Sequence, residues 1–453
     1  MTYRRSVWLS GSFVLATLAA CAAEPAALQP DANQQPASTQ APSAQPASAK
    51  PIYQPEDAGT PAVDASTPEK PQLDLRCQAD PSAAQRTDYS QPGSFEVSTL
   101  GLTFDDSSRP IVATDKHPAA PARSLVTTIY YPSSPSLLGP AALADGRPFP
   151  LLMYSHGYSS TRGEAEPVAK QLASYGYIVV APDFPLTNML ANDGAPDIED
   201  TANQPGDVSF LIDRVLAMSK QPDHIFAGGI DDSRIGALGV SLGGLTTLLV
   251  TFHPKLHDPR IRAALPIAAP SSFFAQGYFH TRDVPFMLLH GDLDAFLEYD
   301  RNARRSFMRA TGRARLITVA KGSHAAFGAQ MDAATTALLN ALLAPEGADP
   351  SNPDGLGCGA VGPQLQMTGP AFLESLGGAD NFIEPDPDPK ATVPCLGDQY
   401  KHPALDAFEQ EQIAVASAAA FFDAHFAAAE ATRKDSCRYL LQELTKNPAV
   451  KLE

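Results

Sequence analysis

The eleven residues Arg234-Ile235-Gly236-Ala237-Leu238-Gly239-Val240-Ser241-Leu242-Gly243-Gly244 decide how the rest of this chain is read. Arg234–Val240 is a short run of aliphatic and small residues, the pattern of a strand buried on both faces. Leu242–Phe252 follows at once with a helical pattern. Between them, Gly239-Val240-Ser241-Leu242-Gly243 is a G-x-S-x-G pentapeptide. Alone it is a common string. Placed between a strand and a helix, it describes a sharp turn that exposes a serine hydroxyl at the carboxyl end of a sheet. The flanking glycines leave room for that turn, and Gly243 and Gly244 let the helix approach the sheet closely.

Working outward, apolar runs recur at Ser124–Tyr131, Phe149–Ser155, Tyr177–Ala181, Ala263–Ala268, Pro285–His290 and Arg315–Val319. Helical patterns separate them at Ala165–Ser174, Asp207–Lys220 and Arg301–Ala310, with a longer one at Leu405–Ala429. Such alternation predicts βαβ units and an α/β fold: a mostly parallel central sheet with helices on both faces. No internal repeat is visible.

A serine nucleophile needs a base, and the base needs an orienting acid. After a strand–serine–helix turn they are expected in the order serine, acid, histidine, each at a strand end. Pro285–His290 leads into Gly291-Asp292-Leu293-Asp294, and Arg315–Val319 leads into Lys321-Gly322-Ser323-His324. Asp294 is read as the acid, with Asp292 the alternative, closer to the strand and suited to ordering the loop. His324 is read as the base. His290 reads as a strand-terminal core residue, and His253, His257 and His280 lack strand-end placement. Two N–H groups are expected to face a developing oxyanion: that of Leu242, after the nucleophile, and that of Tyr158 in Ser155-His156-Gly157-Tyr158. His156 reads as ordering that turn.

The run His156–Asp183 (HGYSSTRGEAEPVAKQLASYGYIVVAPD) resembles dienelactone-hydrolase-like enzymes. It is also similar to secreted platelet-activating-factor acetylhydrolases and, more distantly, to polyester-cleaving cutinases. Gln204–Ala217, Asp232–Gly244, Pro285–Asp294 and Gly322–Phe327 are similar to the same families in order and spacing, so the resemblance spans about residues 95–330. It departs at Val240, where these families often have histidine, and at Leu242, where cutinases commonly have methionine; true dienelactone hydrolases use a cysteine nucleophile. The resemblance implies an α/β-hydrolase fold. It implies Ser241, Asp294 and His324 as a triad, Tyr158 and Leu242 as oxyanion donors, and hydrolysis of a small-molecule ester or lipid-like substrate without a cofactor. A serine peptidase or amidase, sharing the triad, is the alternative activity; a non-catalytic binding lipoprotein on the same scaffold is the other.

The N-terminal residues predict where the chain works. Arg4 and Arg5 precede an apolar stretch from Val7 to Ala20, short for a membrane span, which ends in Leu18-Ala19-Ala20-Cys21. This ending resembles the lipobox of bacterial lipoproteins. Residues 1–20 are therefore expected to be a signal peptide and Cys21 the lipidated residue, anchoring an exported protein in the bacterial cell envelope. Residues 21–85 follow as a tether rich in Ala, Pro, Gln and Ser, without the apolar periodicity a core requires, and residues 86–453 form the enzyme domain. Cys77, Cys358, Cys395 and Cys437 then remain, an even number suited to disulfides in an oxidising compartment. Cys358–Cys395 is the expected local clip, inside a Pro/Gly/Asp-rich insertion at about 344–405, and Cys77–Cys437 the expected tie between the domain's ends. None of the cysteines has metal-ligand spacing.

The formal charge of -17 argues against a nucleic-acid or anionic-lipid surface as partner. The acidic runs Asp193–Asp200 and Asp380–Asp388 lack an EF-hand spacing and are expected to be solvated loops, the first bordering the site as a flap. Ser271-Ser272-Phe273-Phe274 and Phe296 are candidates for an apolar acyl pocket, or for ordinary core.

Overall fold

The computed structural model describes residues 87–134, 141–310, 313–328, 332–360, 369–388 and 393–453. Among these described residues, nine strands form one sheet: β1 (Glu96–Asp106), β2 (Arg123–Ser133), β3 (Phe149–Ser155), β4 (Ile178–Asp183), β5 (Ile230–Val240), β6 (Ile261–Ile267), β7 (Phe286–Gly291), β8 (Ala314–Val319) and β9 (Val450–Leu452). Their spatial order is β1-β2-β4-β3-β5-β6-β7-β8-β9. The six strands from β4 to β8 in that order pair in parallel, β2 runs antiparallel to β4, and β9 runs antiparallel to β8. This is the α/β-hydrolase fold.

Parallel strands need crossovers, and these supply α1 (Glu166–Ser174), α2 (Gln204–Ser219), α3 (Leu242–Phe252) and α4 (Arg305–Arg309). The long connection from β8 to the antiparallel β9 supplies α5 (Ala333–Leu343), α6 (Asp354–Ala360), α7 (Pro370–Ser375), α8 (Ala407–Phe426) and α9 (Glu430–Arg438). Alternation along each strand decides which helix it meets. Leu152 and Tyr154 of β3 pack with α1 and α8, while Leu151 and Met153 pack on the opposite face with α2. All eleven residues of α3 are buried, which explains a sequence without charge; its three threonines donate their hydroxyls to the carbonyls one turn back.

The expected strand Phe149–Ser155 and helix Leu242–Phe252 match the observed elements residue for residue, and the other predicted strands differ by a few residues at their ends. Three features differ from expectation. The edge strands β1 and β9 have no separate signature, because an edge contributes only one partly buried face. The helix expected over Arg301–Ala310 begins with a π-helical turn, Asp300–Arg304, before α4.

The insertion is not a loose addition. Phe372, Leu373, Leu376 and Ile383 join the core on the α3 face together with Phe273, Phe274, Tyr278 and Phe279. Ile383 bridges Phe274, and the Glu384 N–H donates to the Phe273 carbonyl at 2.8 Å. Phe273 and Phe274 are therefore core and not pocket lining. The clip Cys358–Cys395 is present, with Cα atoms 5.6 Å apart. Cys437 is also disulfide-bonded; Cys77, its expected partner, lies outside the described residues, as do Cys21, the expected signal peptide and the expected tether over residues 21–85. Among the described residues no helix is long and apolar enough to cross a membrane.

The acidic runs depart from expectation in part: Asp197, Asp200 and Asp386 are paired with cations, while Asp193, Glu199, Asp380 and Glu384 are exposed. Arg123 holds Asp200 and Asp207 together, with bonds of 2.7–2.8 Å. Asp197 meets Lys116 and His117, and the buried Asp386 faces Arg301 and Arg305. Carboxylates whose lone pairs are taken by guanidinium groups are tertiary clamps, not solvated loops.

Candidate active site

The strand order reverses between β3 and β5, which pair directly, Ser155 opposite Gly239. At such a switch point the loops leaving the two carboxyl ends diverge and open a crevice. The turn after β5 carries Ser241 and the turn after β3 carries Gly157 and Tyr158.

Ser241 has φ 55° and ψ -118°, a conformation a residue with a side chain seldom adopts. Its N–H donates to the Ile267 carbonyl of β6 at 2.9 Å, which helps hold it there. The neighbouring glycines are required by contact. A Cβ on Gly243 would lie 1.9 Å from the Ser155 carbonyl oxygen, and one on Gly239 would lie 2.5 Å from the same oxygen. The elbow is thus wedged against the end of β3.

The structure brings Ser241, His324 and Asp294 into one hydrogen-bonded line. Ser241 Oγ is 2.9 Å from His324 Nε2, and His324 Nδ1 is 2.7 Å from Asp294 Oδ2. With a carboxylate on Nδ1, that nitrogen carries the proton, and Nε2 is left to accept from the serine hydroxyl. Asp294 is buried; its Oδ1 accepts the N–H groups of Phe296 and Leu297 at 2.9 and 2.7 Å. His290 Nε2 lies 3.0 Å from Asp294 Oδ2 and 2.8 Å from the Leu297 carbonyl. Asp292 does not reach the histidine: its Oδ1 accepts the Lys321 N–H and ties the two loops together.

Electrostatics follow from this packing. Burial raises the cost of ionising Asp294, but the charge of His324 and the hydrogen bonds from His290 and His324 outweigh it, holding the carboxyl well below its usual range. Burial likewise disfavours the imidazolium of His324. The adjacent Asp294, with Asp354 and Glu164 further off, reverses that and raises the histidine above its ordinary value.

Both expected oxyanion donors border this line. The Leu242 N–H opens α3, where no intrahelical acceptor exists. In the other turn, Gly157 N–H is taken by Glu164, Ser159 N–H by the Thr187 carbonyl and Ser160 N–H by the Gly157 carbonyl. That leaves Tyr158 N–H without an acceptor among the described residues. The turn abuts the elbow, since a Cβ on Gly157 would be 3.5 Å from Ser241 Cβ. His156 orders it: Nδ1 bonds the Gly157 carbonyl at 2.7 Å and Nε2 accepts the Phe184 N–H at 3.0 Å. Burial pushes this imidazole below its ordinary value, so it stays neutral. The Tyr158 hydroxyl donates to the Pro196 carbonyl at 2.8 Å, joining the turn to the acidic segment after β4.

Sequence reasoning missed four residues that shape the site. Glu164 is half-buried, accepts from the Tyr154 hydroxyl at 2.7 Å and from the Gly157 N–H, and is pushed upward by burial. Gln410 of α8 pairs reciprocally with the backbone of Ser323, accepting its N–H at 3.0 Å and donating to its carbonyl at 2.7 Å. His290 supports Asp294, and Asp354 of the insertion faces both loops. Gln410 and Asp354 reach the site across long sequence separations, while Glu164 and His290 act on neighbours within ten residues, at spacings that no short motif marks. A fifth feature had a local signal: Gly291 ends β7, and Gly322 stands in the turn just past the end of β8. A Cβ on Gly291 would lie 2.1 Å from the Gly322 carbonyl, so the acid and base loops cross where only glycine fits.

Residues 123–339, somewhat under half the chain, match the family described as X-Pro dipeptidyl-peptidase (S15 family). The matched span runs from β2 through the serine elbow and the His324 loop into α5. In structure the chain is similar to a ferulic acid esterase from Streptomyces cinnamoneus, at 22% identity and a TM-score of 0.39, over 54% of this chain and 78% of that one. No curated protein matches the chain.

Proposed function

We propose that this chain is a serine hydrolase that cleaves carboxylic esters through an acyl-enzyme, with Ser241 as nucleophile, His324 as general base and Asp294 as its orienting acid. The observation that carries this is the continuous line Ser241 Oγ–His324 Nε2, His324 Nδ1–Asp294 Oδ2 at 2.9 and 2.7 Å, built on a strained serine. His324 takes the hydroxyl proton as Ser241 attacks the carbonyl, the Leu242 and Tyr158 N–H groups face the oxyanion, and the protonated imidazole then returns the proton to the leaving alcohol. Water activated by the same nitrogen releases the acid.

A fluorophosphonate probe, which reacts only with an activated serine, tests the assignment. Wild type is expected to label and to hydrolyse short p-nitrophenyl esters; Ser241→Ala is expected to lose both, by roughly 10⁴-fold or more, while melting at nearly the wild-type temperature. Undiminished turnover in that variant would sink the nucleophile assignment.

The family match favours a second reading, a serine peptidase acting after proline, since the same three side chains serve amide cleavage. An X-Pro p-nitroanilide assayed beside the ester panel separates the two, the ester reading requiring the larger kcat/KM on esters.

We further propose that the enzyme works exported and tethered through a lipid on Cys21; the lipobox-like ending and the disulfides Cys358–Cys395 and at Cys437 support this. Cys21→Ser is expected to move the protein from the detergent-extracted membrane fraction to the soluble one. A wild-type chain found soluble would contradict the anchor.

A further inference from the structure

The loops that carry Asp294 and His324 converge on a third carboxylate, Asp354, in the first turn of α6. Asp354 Oδ2 accepts the N–H groups of Ala295 and of His324 itself, both at 2.9 Å, and Oδ1 accepts that of Ala325 at 2.7 Å. One fully buried side chain thereby holds the residue after the acid, the base, and the residue after the base. These groups come from two different strand ends, and only a tertiary contact fixes their separation.

Asp354 is itself held from behind. Its N–H donates to Asn352 Oδ1 at 3.0 Å, and the Asn352 amide donates to the carbonyls of Gln399 and His402 at 3.0 and 3.1 Å. Four residues further along, Cys358 is bonded to Cys395, whose N–H donates to the Ala295 carbonyl at 2.7 Å. Ala295 is therefore gripped at its N–H by one arm of the insertion and at its carbonyl by the other, and the disulfide joins the arms. Between them, a Cβ on Gly357 would lie 2.5 Å from Phe296 Cζ, so glycine lets α6 press on the ring that stacks against His324, centroids 5.0 Å apart. The hydrogen bonds to Asp354 come from backbone N–H groups. Burial, with the nearby charge of Asp294, pushes its carboxyl up to about 6, so the charge is kept at a cost.

We propose that Asp354 is a positioning residue: it sets the placement of Asp294 against His324 by clasping both loops, and the Cys358–Cys395 bond pins the clasp on Ala295 and Phe296. The proposal rests on the serine-hydrolase reading above. An acid–base pair works only over a narrow range of geometry, and a displacement of about 1 Å costs on the order of 10²-fold in rate. Asp354→Asn keeps the volume but turns one acceptor into a donor. At least one of the three N–H groups then faces another N–H, and the loops must part.

The test compares full-length wild type, Asp354→Asn and the double variant Cys358→Ser/Cys395→Ser. The readouts are fluorophosphonate labelling rate, ester kcat and KM across pH, thermal melting, and amide exchange in segments 292–297 and 322–327. Asp354→Asn is expected to melt cooperatively, to label and turn over about 10- to 100-fold more slowly with KM within about threefold, and to exchange faster in both segments. Its pH–rate midpoint moves down, because of the three carboxylates acting on His324 (Asp294, Asp354 and Glu164) one has lost its charge. The double variant is expected to shift in the same direction by less. A folded Asp354→Asn with the wild-type labelling rate and midpoint would overturn the proposal. If Asp354→Asn fails to fold, unchanged exchange in both segments of the double variant overturns it equally. A wild type that does not label at all would instead remove the serine-hydrolase reading, and this proposal with it.

Discussion

As the proposed base, His324 would have to be neutral to accept the Ser241 proton, yet its surroundings favour the charged form. Burial works against the imidazolium, and Asp294, Asp354 and Glu164 more than compensate, so its pKa lies above the ordinary 6.5. Hydrolysis is therefore expected to rise with pH through a midpoint above 6.5 and to fall away below it. Stability runs the other way. A raised histidine contributes stability that is fully present below its unfolded pKa and lost as pH rises through the folded one. Asp294, depressed, contributes stability present above its unfolded value and lost as pH falls toward the folded one. Asp294→Asn removes the partner that raises His324. Its kcat is expected to drop by about 10⁴-fold and its midpoint to move down. A rate profile flat between pH 5 and 8 in the wild type would rule out His324 as the base. At this scale the sequence was informative: serine, acid and histidine stand in chain order at strand ends, and Asp294 with His324 are the pair that meet. What strand-end placement cannot show is which groups lie opposite. Gln410 and Asp354 reach the site from distant elements, so no short window of sequence contains their encounter; Glu164 and His290 meet partners within ten residues, but only the folded turns bring those groups together.

Among the elements, the elbow between β5 and α3 is the most tightly determined. Its glycines are demanded by the Ser155 carbonyl beneath them, so Gly243→Ala must either move β3 or unwind the first turn of α3. We expect a loss of stability of about 1–3 kcal/mol and a labelling rate that falls further than the melt alone explains. Measuring both at a temperature where the variant is fully folded separates the two effects; labelling at the wild-type rate there would show that the elbow tolerates the methyl group. Phe149–Ser155 and Leu242–Phe252 were legible because each is buried on all sides and so written without a charged residue. β1 and β9 were not, being edges whose hydrogen bonds rather than side chains define them. The insertion was legible as a stapled, Pro/Gly/Asp-rich segment, but its Phe372, Leu373 and Ile383 are too sparse along the chain to announce a core layer.

Over the whole molecule, buried charge ties distant parts together. Arg123 at the start of β2 bridges Asp200, in the acidic segment after β4, and Asp207 of α2, and all three side chains are almost completely enclosed. Arg123→Ala leaves two buried carboxylates facing each other and is expected to cost about 3–5 kcal/mol, read as a lowered denaturant midpoint. Double substitution with Asp200→Asn should recover part of it; no loss in the single variant would mean that the carboxylates find water. Composition alone could not foresee this, since a run such as DGAPDIED looks the same whether it is solvated or clamped. The amino-acid sequence by itself determined the parallel sheet, the serine elbow and the strand-end placement of Ser241, Asp294 and His324, because burial on both faces and sharp turns each demand particular residues locally. The tertiary structure alone decided which carboxylate meets His324, which acids of the acidic runs are paired, and that the insertion clasps the two loops. Those outcomes depend on which side chains meet across hundreds of residues, and a hydrogen bond of 2.7 Å is set by that meeting rather than by either partner's neighbours in the chain.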